Sequence, residues 1–467
     1  RGVPRPLPTR QTLPAARERE RERECVCHPR LRRLFMRLRH ARRLHLATAF
    51  PEWRPLDFFH HEILHASRKE GSRARVGRLH TPHGTVETPG FVVVGTNGAV
   101  KFVDHHAADA AGMELMFSNT LHLEVHPGPA AVEAAGGLHK FIGRESRPLI
   151  TDSGGFQIFS FAHRGQRAMP GAEEAKEDGE DGGASLKSSR PFPARHKYEV
   201  AAASSSRDGP PPPPRVRVSE DGASFRSYRD GRMLHLSPES TVRSQKALGA
   251  DIIIPLDDLP GASTAAAPLE ESVARTHRWE ARSLREHLGD VRQQAMYGVI
   301  HGGTDERLRS LSVATLARWP FDGFCVGGSL GRDRSELAAL LRFLMPLLPR
   351  ERPNHLLGIG DVESIQVGVR LGVDTFDSCW PTRLGRHGTA LTRHGSLKVG
   401  QARYRDDYGP LDASCDGFVS RHHSRAYLHH LWRAKEPAVH GLLTLHNIKF
   451  MADLMADMRA KIWRDEL

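Results

Sequence analysis

The chain has 467 residues, 39% of them hydrophobic, and a formal net charge of +12. That length gives room for one large barrel with attachments or for two or three domains, and the basic balance points to an anionic partner, nucleic acid first. Five cysteines argue against a disulfide framework and for a reducing compartment, and no apolar run approaches the ~20 residues that a membrane-spanning helix needs.

Residues 1–57 are Arg-rich, with alternating Arg and Glu over 17–24 and no acidic residue over 25–50. This composition resembles an organelle transit peptide without its Ser richness. The expectation is a disordered or targeting-like leader. A cytoplasmic location is the main expectation, with mitochondrion or plastid as the alternatives. Cys25 and Cys27 lack a second ligand pair and are given no metal role. Order is expected from residue 58. Residues 80–86 read as a hairpin turn, 88–96 as a strand and turn, and 101–112 as a helix. A short apolar strand at 115–117 leads into Asn119-Thr120-Leu121-His122-Leu123.

From residue 148 a rhythm appears. The apolar run 148–151 ends in Asp152-Ser153-Gly154-Gly155-Phe156-Gln157. The run 251–256 ends in Asp257-Asp258, 297–300 in His301-Gly302-Gly303, 324–326 in Gly327-Gly328-Ser329, 355–357 in Gly358-Ile359-Gly360, and 373–376 in Asp377. Helix-period segments lie between them, at 240–248, 269–288, 305–319, 335–348 and 362–371. A strand, a residue capable of chemistry and a helix, repeated, is the pattern of a (β/α)8 barrel, whose active residues collect at the C-terminal strand ends. A doubly wound open sheet would alternate similarly, but it would concentrate its chemistry at one switch point. Residues 163–215 break the rhythm with Ala, Glu, Gly, Ser and Pro, including five prolines at 210–214. They read as a low-complexity insertion acting as a spacer. Beyond it, Ser237 reads as an N-cap with Pro238 in the first turn.

Asp377 stands where a strand stops. Pro381 and Gly385 predict a loop after it, carrying Arg383, Arg386 and His387. A carboxylate followed by guanidinium groups suits a nucleophile beside a phosphate or base clamp. Taken alone, the same residues also suit an Asp capping a turn and a solvated basic loop. Residues 410–450 change texture, with Cys415, many histidines and a helix near 425–431. Residues 451–467 read as an amphipathic helix. The final Arg464-Asp465-Glu466-Leu467 has the form of an ER-retention signal without a signal peptide, and is read as coincidence.

The segments DSGGFQ (152–157), FRSYRDG (225–231), LSPE (236–239), HGG (301–303), VGGS (326–329), LLGIGDVES (356–364), FDSCWPTRLGRHGTA (376–390) and SRAYLHHL (424–431) occur in one order. Together, from about residue 58 to the end and apart from the insertion, they resemble the tRNA-guanine transglycosylase (queuine tRNA-ribosyltransferase) family. The resemblance implies a (β/α)8 TIM barrel spanning 58–467 with a small zinc-type subdomain at 405–450. It implies exchange of guanine at the tRNA wobble position for queuine or another free 7-deazaguanine base, with no organic cofactor. Asp377 matches the family's nucleophile and Asp152 its general acid/base. Two displacements through a sugar–enzyme ester would retain the ribose configuration. Asp152, Ser153, Gly154, Gly155, Phe156, Asp257, His301, Gly327 and Gly328 match the base pocket, with Phe156 stacking on the heterocycle. Gly358, Ile359, Gly360, Asp361, Val362, Glu363 and Ser364, and then Thr382, Arg383, Leu384, Gly385 and Arg386, match the tRNA-contacting stretches.

The chain departs from the family in several places. His301 stands where the family carries glutamine. It can donate one hydrogen bond to a base carbonyl but lacks an amide's paired donor and acceptor. The family's zinc pattern, Cys-x-Cys-x-x-Cys with a distant His, falls here on Cys415, Gly417, Ser420 and His446. Only Cys415 and His446 keep ligand chemistry, and this argues against bound Zn²⁺. Asp416, His422 or His423 could substitute only with a rearranged loop, and His429 and His430 read as helix-packing residues. Leu259 and Gly331 stand where bacterial members carry a cysteine and a valine, which resembles the eukaryotic or queuine-accepting form. A homo- or heterodimer is also implied. The competing readings are a non-catalytic tRNA-binding partner subunit, and a barrel enzyme acting on a small phosphorylated substrate. Retention of Asp152 and Asp377 favours the transglycosylase.

Overall fold

The computed structural model of the chain describes residues 50–162, 216–259 and 264–467. The proposed insertion, its proline run, Cys25 and Cys27 lie outside the described residues, as does the leader as far as residue 49. An antiparallel sheet comes first, made of β1 (His60–Ala66), β2 (Arg75–Thr81) and β3 (Gly84–Thr88). Then come β4 (Gly90–Val94), β5 (Met116–Ser118) and β6 (Leu149–Thr151). A second antiparallel sheet holds β7 (Val216–Val218), β8 (Ala223–Arg226) and β9 (Met233–Leu236). The parallel series resumes with β10 (Ile252–Ile253), β11 (Ala295–Ile300), β12 (Gly323–Val326), β13 (Asn354–Leu356) and β14 (Thr375–Ser378). A hairpin of β15 (Thr389–Thr392) and β16 (Gly395–Lys398) follows.

Strands β4, β5, β6, β10, β11, β12, β13 and β14 close one parallel barrel, with β14 returning to β4 in the register Phe376↔Phe91 and Asp377↔Val92. This is the expected (β/α)8 barrel, and the open doubly wound sheet is excluded. Side chains alternate across the barrel wall, as strand pleating requires. Tyr297, Val299 and Cys325 join Val92, Leu115, Phe117 and Ile150 on the inside. Met296, Ile300, Phe324 and Val326 pack outward against the helices with Ala281, Leu316 and Leu341. Phe59, Leu79 and Val86 belong to the inner cluster, so the β1–β3 sheet floors the barrel at its N-terminal end.

Side-chain caps start the helices where the sequence places them. Ser237 accepts from Ser240 N, Asp305 from Leu308 N, Asp333 from Ser335 N, and Asp361 from Ser364 N, each satisfying a backbone donor the helix leaves open. The helix expected at 101–112 is shorter, His105–Ala110, because Asp104 caps it and Phe102 has a positive φ of 65°.

Three expectations are corrected. The loop expected around Pro381 and Gly385 is a helix, Trp380–Arg386, with Pro381 in its first turn, where a missing N–H costs nothing. Gly385 lets that helix touch another, since a Cβ there would lie 2.6 Å from Thr444 N. The C-terminal helix begins earlier than residue 451 and runs Ala438–Trp463. Finally, Phe50 packs edge-on against Trp319, and Arg352 lies over the Trp53 ring, so contacts with the barrel start before residue 58. The chain end is tied to β1, where His65 pairs with Asp465 at 2.9 Å and Ser67 Oγ donates to Leu467 O at 2.6 Å. Among the described residues, no helix is long and apolar enough to cross a membrane.

A buried ion pair joins floor to barrel. Arg75 of β2 donates to both oxygens of Asp374, at 2.7 and 2.6 Å, and to the carbonyls of Arg350 and Arg352. Asp374 also accepts from Asn354 N and Nδ2 at 2.8 and 2.9 Å. Removing one partner leaves the other charge buried and alone. Arg75→Met is therefore expected to cost about 3–5 kcal/mol, read as a lowered urea midpoint with an unchanged m-value.

Candidate active site

The functional residues sit where the barrel strands end. Asp152 follows β6 and is held by three donors: Asn119 Nδ2 at 2.8 Å, Thr120 N at 2.8 Å and Gln157 Nε2 at 2.9 Å. Burial pushes its carboxyl up and the Asp257 charge adds to this. The three hydrogen bonds pull the other way, and the group settles at about 6. A carboxylate there can exchange a proton near neutral pH. Asn119, Thr120 and Gln157 were not assigned from sequence, although Asn119 follows β5 just as Asp152 follows β6.

Two loops meet beside it. Gly155 opens the helix Gly155–Ala162, and a Cβ there would lie 2.4 Å from Asp257 Oδ1. Only glycine lets these strand ends approach so closely. Ser153 is buried and Phe156 is 49% exposed. Asp257 and Asp258 divide. Asp258 pairs with Arg275 at 2.6 Å, while Asp257 Oδ2 meets His301 Nε2 at 2.8 Å. The His301 ring is packed against Gly327 and Gly328, and a Cβ on Gly328 would come 2.9 Å from its Nδ1. His301 Nε2 thus holds the Asp257 carboxylate and orients it.

Arg309 was also missed. Fully buried, it donates to the carbonyls of Ile300, Gly303 and Ser329 at 2.5, 2.8 and 3.0 Å, and burial lowers it to about 9. It clamps the loops after β11 and β12 together. Gly331 has φ +108°, and a Cβ there would lie 2.7 Å from Glu336 Cβ. The turn itself demands glycine at this position, so its small size need not reflect a larger base.

Asp377 ends β14 and is 8% exposed. Its Oδ1 accepts from Gly358 N at 2.9 Å and pairs with His355 Nε2 at 3.0 Å. Among the described residues, Oδ2 takes no hydrogen bond. Gly358, at φ +76° with open space where a Cβ would stand, turns its N–H toward the carboxylate. His355 escaped the sequence reading because it lies within an apolar strand. Of the stretches expected to meet tRNA, Ile359, Gly360, Ser364, Thr382 and Gly385 are buried. Gly358, Asp361, Val362, Glu363, Arg383, Leu384 and Arg386 keep accessible surface. Arg334 bridges Asp361 and Glu363 at 2.9 and 3.1 Å, and Arg383 Nη2 donates to Cys379 Sγ at 2.7 Å.

The zinc-type positions do not fit the metal. Gly417 offers no ligand. His446 Nε2 donates to Leu391 O at 2.7 Å, and Ser420 Oγ lies 3.4 Å from its Nδ1. Lys449 bridges Asp416 and Asp453 at 2.7 and 2.5 Å. A Cβ on Gly417 would meet Lys449 Cγ at 2.8 Å and Cys415 Sγ at 3.3 Å, so an ammonium-bearing chain packs where a cation would have to be held. Among the described residues, neither Cys415 nor His446 joins a group of three metal-ligating side chains. His429, as expected, is a packing residue that donates to Val399 O at 2.8 Å.

One such group does exist, made of His83, His139 and Asp251. The two rings stack with centroids 3.6 Å apart, and His83 Nδ1 and His139 Nε2 are each already taken by one oxygen of Asp251, at 2.8 and 3.0 Å. Asp251 already accepts four hydrogen bonds: from His83 N and its ring, from the His139 ring, and from Leu149 N. Burial alone would raise this carboxyl, but the hydrogen bonds from His139 and His83 outweigh it and hold it at about 2. The cluster is a satisfied structural network. The purified protein is accordingly expected to hold substoichiometric zinc by elemental analysis and to melt at the same temperature with and without EDTA. One zinc per chain, lost with a fall in melting temperature, would contradict this.

Comparison with known proteins identifies the family. The family described as Queuine tRNA-ribosyltransferase matches residues 70–179 and 211–467. A queuine tRNA-ribosyltransferase of Protochlamydia amoebophila is 46% identical over 412 residues, covering 88% of this chain and 97% of the relative. Those of Chlamydia abortus and Chlamydia muridarum are 44% and 45% identical, each covering 87% of this chain and 98% and 99% of the relative. These three relatives are bacterial. At that identity and coverage, the chain belongs to the queuine tRNA-ribosyltransferase family of enzymes.

Proposed function

We propose that this enzyme exchanges guanine at the wobble position of tRNAs with GUN anticodons for queuine or a 7-deazaguanine precursor, through an ester between Asp377 and the ribose. Asp377 Oδ2 attacks the anomeric carbon and the bond to guanine N9 breaks. The electron pair leaves with guanine, which takes a proton from Asp152. The incoming base gives a proton back to Asp152 and attacks the same carbon. The ester bond breaks, and its electron pair returns to Asp377. The target nucleotide must leave the anticodon stack to reach a pocket at the strand ends.

The observation that carries this reading is the contrast between the two carboxylates. Asp377 has one oxygen anchored and one unengaged, as a nucleophile requires. Asp152 is poised at about 6, as a proton shuttle requires. That contrast favours a catalytic chain over a silent partner subunit. Asp257 is placed to accept from purine N–H donors, with Gly327 and Gly328 offering backbone and Phe156 a stacking face. Arg383 and Arg386 supply positive charge for the phosphates beside the flipped nucleotide.

Labelled guanine should enter a GUN-anticodon tRNA with the wild-type enzyme. Asp377→Ala should lower kcat by more than about 10³-fold, and Asp152→Ala by about 10²–10⁴-fold. Incorporation by Asp377→Ala at the wild-type rate would sink the reading. In the first displacement Asp152 gives guanine a proton, so it must start protonated. Adduct formation should therefore fall as pH rises through about 6, a limb that single-turnover adduct formation across pH would show.

A further inference from the structure

We propose that His355 is a positioning residue for Asp377: it occupies Oδ1 so that Oδ2 attacks, and it stabilises the charge that returns when the ester is cleaved. This rests on Asp377 being the nucleophile.

The geometry places the ring closely. His355 is 1% exposed and pairs in register with Thr375 on β14. Asp377 is two residues further along that strand, so both side chains project from the same face. The imidazole therefore lies along the strand. Its Nδ1 is 2.9 Å from Thr375 Oγ1 and its Nε2 is 3.0 Å from Asp377 Oδ1. Phe117, from β5, stacks on it at 6.2 Å with the planes 21° apart. The Thr375 hydroxyl can donate to Nδ1 or to Asn354 O, which is farther at 3.3 Å. Donation to the nearer atom leaves the neutral ring's one proton on Nε2, facing the carboxylate.

Two donors, the ring N–H and Gly358 N–H, thus converge on Oδ1. When Oδ2 bonds to the sugar, Oδ1 becomes the ester carbonyl oxygen and both donors stay in place. When the incoming base displaces the ester, the carboxylate charge re-forms against donors already aimed at it. Such donors make a carboxylate a better leaving group and a poorer nucleophile. Their loss should slow the second displacement and let the covalent enzyme–tRNA species build up.

The test measures discharge of that species. Enzyme and labelled tRNA are mixed, guanine is added in excess, and the denaturant-stable adduct is followed on gels for wild type, His355→Phe, His355→Gln and Asp377→Ala. Glutamine places an amide N–H near the Nε2 position. His355→Phe should accumulate more adduct, discharge it at least about ten-fold more slowly, and show kcat and KM for tRNA falling together. His355→Gln should recover most of the rate. Discharge by His355→Phe at the wild-type rate overturns the proposal. So does equal slowing in the Phe and Gln variants with lowered melting temperatures, which marks a packing role. If the Phe variant does not fold, Thr375→Val removes the hydroxyl that fixes the ring proton, and it should slow discharge in the same way. An unchanged rate there also overturns the proposal. An adduct still formed by Asp377→Ala refutes the nucleophile assignment itself, whatever His355 does.

Discussion

Everything at the site depends on the pairing of β14 with β4. That contact turns a row of parallel strands into a ring, and a ring of parallel strands has all its C-terminal ends at one pole. Residues distant in the chain, such as Asp152, Asp257, His301, Gly327 and Asp377, then share one rim. Closure is held at the opposite pole too. There Gly90 N donates to Asp374 O at 2.9 Å, and the Asp374 side chain takes Arg75 from the floor sheet. One short stretch, Asp374 to Asp377, thus anchors the bottom of the barrel and arms the top.

Three carboxylates at one rim would repel one another if their surroundings were alike, and here they are not. Asp152 is buried among neutral donors, which favours proton exchange. Asp257 is oriented by a histidine wedged against two glycines. Asp377 is pinned through one oxygen by a backbone amide and a ring nitrogen. The protein assigns different chemistry to identical side chains by choosing what each one touches.

Much of this was legible in the sequence because barrel periodicity and strand-end residues are local signals. Ser237, Asp305 and Asp361 announce their helices, and Asp152 and Asp377 fall at strand ends. What failed depended on contacts between distant segments. Pro381 and Gly385 looked like loop formers, but proline is at home in a first helical turn, and Gly385 is needed where Thr444 presses in. The partnership of His301 with Asp257 spans 44 residues and so left no local signal. His355 and Arg309 went unassigned because a polar residue inside an apolar run looks like core until its partners are known. Phe50 and Trp53 were placed with the leader because composition does not show what an aromatic side chain rests on.

The subdomain after β14 is held together by an apolar interior and by charge at its surface. Its interior is apolar, with Ala390, Leu397, Val399, Leu411, Leu428 and Leu443 in one cluster, and Lys449 ties its loop to the long helix through charge. A coordinated ion makes a few short, directional bonds that dissolved salt barely touches. An ammonium between carboxylates, one of them 83% exposed, is screened as ionic strength rises. The tie between this loop and the long helix should therefore weaken as salt is added.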